Sequence, residues 1–197
     1  VGVVTRGTGV ERDIDILSDM AAQGLARVGI SLTTLDRDLA RKLEPRAPSP
    51  ARRLRMIARL SAAGIPVRVM VSPVIPALTD DGLEDVLGAA AKAGAGAASW
   101  IMLRLPLEVS PLFQDWLARH YPDRAGRVMA RVREMHGGRD YDPRWGRRMK
   151  GEGPYAEMIA HRMALAMKRN GLPRELPPLR CDLFRVPPRT GDQLSLF

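Results

Sequence analysis

One alternation repeats through the first half of this chain. A short apolar run breaks into hydroxyl, proline or charged residues, and a helix-compatible segment closing on glycine follows. Val1–Thr5 (VGVVT) is the first run; Val10–Gln23 after it carries Val10, Ile14, Leu17 and Ala21 at helical spacing before Gly24. Val28–Leu32 is the second, inside ARVGISLTTLD at 26–36. Beyond a loop with Pro45, Pro48 and Pro50, Ala51–Ala63 sets Leu54, Ile57, Ala58 and Ser61 on one helical face. Arg52, Arg53, Arg55 and Arg59 take the other face, and Gly64 is the stop. Pro66 opens the third run, VRVMVSPVIPALTD at 67–80. Asp80 and Asp81 suit the start of a helix with Leu83, Val86, Leu87 and Ala90 inward, ending near Gly94 and Gly96. Ala98–Leu105 (ASWIMLRL) is the fourth run. Continuous apolar runs mark strands covered on both faces, and glycine stops helices because it enters the left-handed region without strain.

Strand–helix units in succession, with short connections, predict an α/β fold with a parallel sheet and right-handed crossovers. A closed barrel needs about eight strands and about 250 residues. This chain of 197 residues offers four strands, so a partial barrel and an open doubly wound sheet both satisfy the pattern. Past Pro106 the pattern changes. Val109–Arg119 and Arg124–His136 read as arginine-edged helices, 137–153 as a loop, and Pro154 opens a helix with Tyr155, Ile159, Met163 and Ala166 on one face. The expected organisation is strand–helix units over 1–108, a helical basic extension over 109–171, and a proline-rich, extended or mobile tail over 172–197.

Composition removes several classes. No run of eighteen apolar residues exists, so no helix-type membrane span is expected, and the apolar opening VGVV, without a basic n-region, is not expected to be a signal peptide. The single cysteine, Cys181, excludes an internal disulfide framework and fits a reducing cytoplasm. A net charge of +9 and a sequence pI of about 10.7 suit an anionic partner such as nucleic acid; an arginine-rich proteome would give the same numbers. The first residue is Val and lies within an expected strand, which raises the expectation that an N-terminal part precedes it.

In a parallel array the turns after the strands share one rim. That rim offers Thr5 and Arg6, then Ser31, Thr33 and Thr34, then Ser72, Pro73 and Thr79, then Arg104 and Glu108. Hydroxyls, a fixed cation and a carboxylate suit a polar ligand with a carboxylate and a ribose. The same hydroxyls would equally cap the next helices, and Arg104 could pair with Glu108. No metal-ligand spacing occurs: His120, His136 and His161 fall on different elements, as surface or helix-end residues. No G-x-S-x-G elbow is present, and GTG at 7–9 and GAG at 94–96 lack the rest of a dinucleotide fingerprint.

Between Arg139 and Lys150, five cations (Arg139, Arg144, Arg147, Arg148, Lys150) interleave with Tyr141 and Trp145. Cations hold phosphates and aromatic faces stack bases, so this loop is an expected nucleic-acid contact; a solvated loop pinned by its aromatics is the alternative. The closing QLSLF sets Gln193 for hydrogen bonds beside apolar Leu194, Leu196 and Phe197. It resembles the peptide that docks into the bacterial β sliding clamp, an exposed apolar anchor on a tail.

Taken together, VGVVTRG at 1–7, RVGISLTTLD at 27–36, EPRAPSPARRL at 44–54, GIPVRVMVSPVIPALTD at 64–80, LRLPLEVSPLF at 103–113 and HGGRDYDPRWGRRMKGEGPYAEMI at 136–159 carry a family resemblance. The chain resembles the spore photoproduct lyase-like, or DNA-repair photolyase-like, branch of the radical SAM superfamily. The resemblance implies a partial TIM-like barrel that binds a [4Fe-4S] cluster and S-adenosylmethionine (SAM), and generates a 5′-deoxyadenosyl radical. It implies cofactor contacts at Arg6, Ser31, Thr33, Ser72 and Pro73. Ser31 matches a SAM-contacting serine, Arg6 stands where relatives carry lysine, and Val71–Ile75 borders the adenine. The CxxxCxxC cluster loop of such enzymes is not in this chain, whose first strand matches the family's third, so those ligands are expected upstream of Val1 and this chain alone is expected to be inactive. The expected function is the carboxyl-terminal part of a radical SAM enzyme acting on nucleic acid in DNA repair, with the bacterial β sliding clamp as partner. The alternative is a non-catalytic DNA-associated module recruited by that clamp.

Overall fold

A computed structural model of the chain describes residues 1–187; Gln193–Phe197, the expected clamp-docking peptide, lies outside them. Strands β1 (Gly2–Thr5), β2 (Arg27–Ser31), β3 (Val67–Val74) and β4 (Ala97–Met102) form one sheet in the order β1-β2-β3-β4. Every pairing is parallel, with Val3 opposite Val28, Ile30 opposite Val69, and Met70 opposite Ser99. Between the strands run α1 (Ile14–Ala22), α2 (Arg37–Leu43), α3 (Pro50–Ala62) and α4 (Leu83–Lys92). After β4 come α5 (Val109–His120), α6 (Pro122–Met135) and α7 (Pro154–Arg169).

The strand order separates the two architectures that share this periodicity. A doubly wound sheet reverses its order at a switch point; here each strand joins its predecessor in turn. Right-handed crossovers then put the connecting helices on one face, as in part of a barrel. That outer face holds the main core, where Val28, Ile30, Val67, Val69, Val71 and Ala98 meet Met56, Ile57, Leu60, Leu83, Leu87 and Ile159. A second core under the rim gathers Leu39, Ile75, Leu103, Leu117 and Val132. The inner face is tight where β1, β2 and β3 meet: a Cβ on Gly29 would stand 3.0 Å from Met70 Sδ.

Several expectations change. The β1 run reads as covered on both faces, yet its burial alternates and Val4 is 66% exposed, because among the described residues β1 has a neighbour on one side only. The arginine face of α3 is not a free solvated face. Arg52 and Arg59 both grip Glu11 in the 3₁₀ turn after β1, and Arg53 is buried; the inward set is Arg53, Met56, Ile57 and Leu60, while Ala58 is exposed. The Glu11 carboxyl is held below its ordinary range, chiefly by the Arg52 hydrogen bonds. The segment between the second strand and Pro45, to which no helix is assigned above, contains α2. The start of the tail is docked: Leu172 and Leu176 are buried, and the Arg180 N–H donates to Gly24 O at 3.0 Å.

Helix α7 is tied to the β3–α4 connection by one phenol. Tyr155 donates its hydroxyl proton to Asp80 and accepts the Ala77 N–H at 3.1 Å, holding Ala77 at φ +55°. The Arg131 guanidinium lies 4.8 Å from the ring centroid. Burial first, and then the hydrogen bond to Asp80, push the phenol up to about 12. A raised pKa in the folded state gives stability that is present below the unfolded value of about 10 and lost as pH rises through the folded value. Tyr155→Phe is therefore expected to lower stability by about 1–3 kcal/mol, read as a drop in urea midpoint. It should also remove the last-titrating phenolate from an alkaline absorbance titration; an unchanged titration curve would contradict the assignment.

Candidate functional site

The carboxyl ends of the four strands converge on one rim. Arg6 follows β1, Thr33 and Thr34 follow β2, Ser72 and Pro73 sit near the end of β3, and Leu103 and Arg104 follow β4. There a cavity of about 180 Å³ is lined by Arg6, Thr33, Thr34, Glu44 and Arg53 on its polar side. Ala40, Leu43, Pro50, Pro73, Ile75, Leu103 and Phe113 make the apolar side. Pockets for whole drug-sized ligands run to about 300–1,000 Å³, so a ligand of that size seated here extends from the cavity along the open rim.

The polar wall is organised by a buried arginine. Arg53, 2% exposed, donates from Nη1 to the Ser31 carbonyl and from Nε to the Pro48 carbonyl, both at 3.0 Å. Its Nη2 pairs with Glu44, whose other carboxylate oxygen accepts from Arg6 Nη1. Two guanidinium charges against one carboxylate leave one positive charge, carried at the open end by Arg6, whose side chain is 57% exposed. The wall thus presents a cation to solvent with its orientation fixed from behind.

Glu44 reaches this position through α2, the helix missing from the sequence reading. Asp36 caps it, Oδ1 accepting from the Asp38 and Leu39 N–H groups at 2.8 and 3.0 Å. Leu39 is buried and Leu43 packs against the rim core, so the helix is anchored one turn before it delivers Glu44 as its C-cap residue. The signal was present: an N-capping aspartate three residues before Leu39, with Leu43 at i+4.

Of the expected cofactor contacts, the cavity brings together Arg6, Thr33 and Pro73. Ser31 is buried and contributes its carbonyl to Arg53, while Ser72 offers its carbonyl to Thr33 Oγ1 at 3.3 Å. Thr34 Oγ1 accepts the Asp36 N–H and Thr79 Oγ1 the Ile75 N–H, so these two hydroxyls do serve turns. Arg104 turns to Tyr141, donating from Nη2 to its hydroxyl at 3.3 Å; no pair with Glu108 forms among the described residues.

The basic loop is less free than its composition implies. Arg144 chelates Asp142, and Arg147 pairs with Glu152 at 2.5 Å. The Arg144 side chain, and then its backbone N–H, hold the Asp142 carboxyl well below the ordinary carboxylate range. Arg148 lies 4.4 Å over the ring of Trp145, which is 86% exposed. Arg139 extends into solvent. His120 and His161 are exposed and His136 is the C-cap of α6, surface and helix-end positions as expected; His136 is buried there, with Nδ1 2.9 Å from the Val132 carbonyl. Among the described residues no three His, Cys, Asp or Glu side chains gather as a metal site, and Cys181 is exposed on the tail. No helix of the described residues is long and apolar enough to cross a membrane.

The sequence model of the radical SAM superfamily matches residues 1–90, the stretch from β1 into α4 that supplies every polar group of the cavity wall. Uncharacterized proteins of Mycobacterium tuberculosis and Mycobacterium bovis are 34% identical over 166 residues, covering 83% of this chain and 45% of theirs. An uncharacterized protein of Acidianus two-tailed virus is 36% identical over 74 residues, 38% of this chain and 24% of its own. The chain spans less than half the length of these curated relatives.

The Arg53 pair predicts an asymmetry between two variants. Arg53→Met removes the partner of a largely buried carboxylate and of two carbonyls, and should lower stability by about 3–5 kcal/mol. Arg6→Ala truncates an exposed cation and should change stability by under about 1 kcal/mol. Urea denaturation of both variants checks this; equal losses would show that Arg53 is not the anchor.

Proposed function

We propose that this chain is part of a radical SAM enzyme and that the rim cavity receives SAM. The observation that supports this most is coincidence: the radical SAM match over 1–90 spans the same residues that build the polar cavity wall. The donor set fits the molecule. Arg6 suits the methionyl carboxylate, in bidentate fashion where lysine would offer a point charge. Glu44 suits the ammonium, Thr33 and Thr34 the ribose hydroxyls. Pro73 and Ile75, within the stretch that the resemblance sets against adenine, suit its apolar faces together with Leu103 and Phe113. The family's cluster is different. The single cysteine is exposed on the tail and no ligand group gathers among the described residues, so these residues do not fit a [4Fe-4S] centre.

In this superfamily the cofactor pair supplies hydrogen abstraction by a 5′-deoxyadenosyl radical. What this chain's own residues do is bind and orient: Arg53 fixes Glu44 against the Ser31 carbonyl, Glu44 fixes Arg6, and the apolar side excludes water from the base. The substrate in this reading is nucleic acid, in keeping with the net charge of +9 and with the resemblance to the DNA-repair branch. QLSLF at 193–197 supports recruitment to DNA by a sliding clamp, which would hold equally for a non-catalytic module.

Two measurements test these readings. S-adenosylhomocysteine titrated calorimetrically into the chain should bind, and Arg6→Ala should weaken it about tenfold, equivalent to about 1.4 kcal/mol. Failure to bind, or indifference to both Arg6→Ala and Glu44→Gln, would overturn the cofactor assignment. Iron and sulfide reconstitution of this chain alone should yield no cluster absorbance. For recruitment, immobilised β clamp should retain the chain and lose it on Leu196→Ala with Phe197→Ala; equal retention would remove the clamp from the account.

A further inference from the structure

Strand β4 is an edge strand among the described residues, with β3 on one side. Its peptide groups alternate between the β3 side and the outer side. Two outward donors are used. The Ala98 N–H donates to Pro173 O at 3.0 Å, and the Met102 N–H to Met149 O at 2.8 Å. The Trp100 N–H lies midway between them and in phase with both, and it has no backbone acceptor outside the sheet among the described residues. The tail covers the edge below this point and the basic loop covers it above, leaving a one-residue gap.

That gap opens into a cleft of about 450 Å³. Lys150 comes from the loop, Lys168 from α7 and Arg174 from the tail, while Trp100, Ala164 and Met167 lie on the apolar side. None of the three cations forms an ion pair among the described residues, and no acidic residue lines the cleft. Arg144 and Arg147 of the neighbouring loop, in contrast, are neutralised by Asp142 and Glu152. Unopposed positive charge thus gathers at the β4 edge, while in the loop Arg139 and Arg148 remain without a carboxylate among the described residues.

We propose that this cleft binds a nucleotide unit of single-stranded nucleic acid. The phosphate is held by Lys150, Lys168, Arg174 and the Trp100 N–H, and the base lies on the apolar side. Cations converging with an outward backbone N–H form a phosphate site, and an apolar surface beside it suits a base without reading its identity. An acidic peptide fits less well. A peptide adding to the sheet needs a row of edge groups, and only one is open here between two that are taken. The cleft also borders the rim: Trp100 and Leu103, which lines the cofactor cavity, are three residues apart, about 10 Å of extended chain. The inference rests on the nucleic-acid reading given above and says where the strand is held.

Fluorescence anisotropy of a fluorescein-labelled oligothymidylate with the full chain tests it. Lys150→Ala, Lys168→Ala and Arg174→Ala together should weaken binding at least tenfold. The slope of log affinity against log salt should fall by about 2, since each cation withdrawn from a single strand's phosphates lowers it by about 0.7. Arg139→Ala, Arg144→Ala and Arg147→Ala remove the same charge and should weaken binding less than threefold. Ala164→Glu, at an exposed position of α7, should block the cleft by bulk and charge while leaving the circular dichroism spectrum unchanged. Equal weakening by the two triple variants, wild-type binding by the cleft variants, or equal competition by polyglutamate would overturn the assignment. S-adenosylhomocysteine affinity, measured in parallel, should be the same in the cleft variants. A chain that binds this cofactor analogue and no oligonucleotide would sink the cleft while the radical SAM reading stands.

Discussion

A guanidinium cannot be buried without partners, and the rim of this fold is arranged around one that is. Arg53 enters from the first turns of α3, beneath the turn that follows β2. Removing such a cation from water costs several kcal/mol unless its donors are met and its charge is balanced. Meeting that demand dictates the surroundings. The Ser31 and Pro48 carbonyls must face it, so the end of β2 and the proline-rich connection are drawn to a common point. Glu44 must reach it, so α2 must end where it does. The carboxylate's second oxygen then holds Arg6 from a strand one position away in the sheet. Three connections that are distant in sequence thus become one wall, and its outermost member is the cation that faces a ligand.

The second constraint is the treatment of the sheet's edges. Sequential parallel order leaves β1 and β4 at the ends of the described sheet, and the two ends differ. At β1 the outer side chains are open, with Val4 largely exposed. At β4 the chain returns twice to cover its own edge, at Met149 and at Pro173. Exposed edges invite pairing with other chains, and two short docked segments blunt this one without adding a strand. The helical extension is thereby part of the same body as the sheet, since α7 also packs on α4 and is tied to Asp80 and Ala77 through Tyr155.

Much of this is legible in the sequence. Periodic apolar residues and glycine stops located four strands and most helices, because strand burial and helix termination are local effects. Strand order was not legible, since crossovers of similar length serve barrels and open sheets alike. The arginines of α3 fall on the solvent side by residue type alone. A single buried charge is invisible to hydropathy, because what makes burial tolerable is a carboxylate nine residues away and carbonyls from other elements. Likewise α2 was hidden by its short length and the prolines after it, although Asp36, Leu39 and Leu43 carried its signature. At the rim, Arg6, Thr33 and Pro73, read from the turns after the strands, line one cavity. Residue type did not foresee that Ser31 and Ser72 would contribute backbone rather than hydroxyl groups.

The excess of positive charge takes on a different meaning once its members are located. Every ion pair among the described residues uses arginine: Arg6, Arg12, Arg52, Arg53 and Arg59 around β1 and α3, Arg131 and Arg133 on α6, Arg144 and Arg147 in the basic loop, Arg162 on Glu84, and Arg180 on Asp182. A planar fork with fixed donors suits such bidentate structural contacts. Eleven of the 27 arginines are thus tied to carboxylates among the described residues, so pI alone is a poor guide to partners. Of the four lysines, Lys42 lies over the Tyr121 ring and Lys92 is exposed at the end of α4, whereas Lys150 and Lys168 meet at the uncovered point of β4 with Arg174. Ammonium groups left without carboxylates, beside an unspent peptide donor, are where the fold has not used its charge on itself. That is where an anion from outside has something to gain.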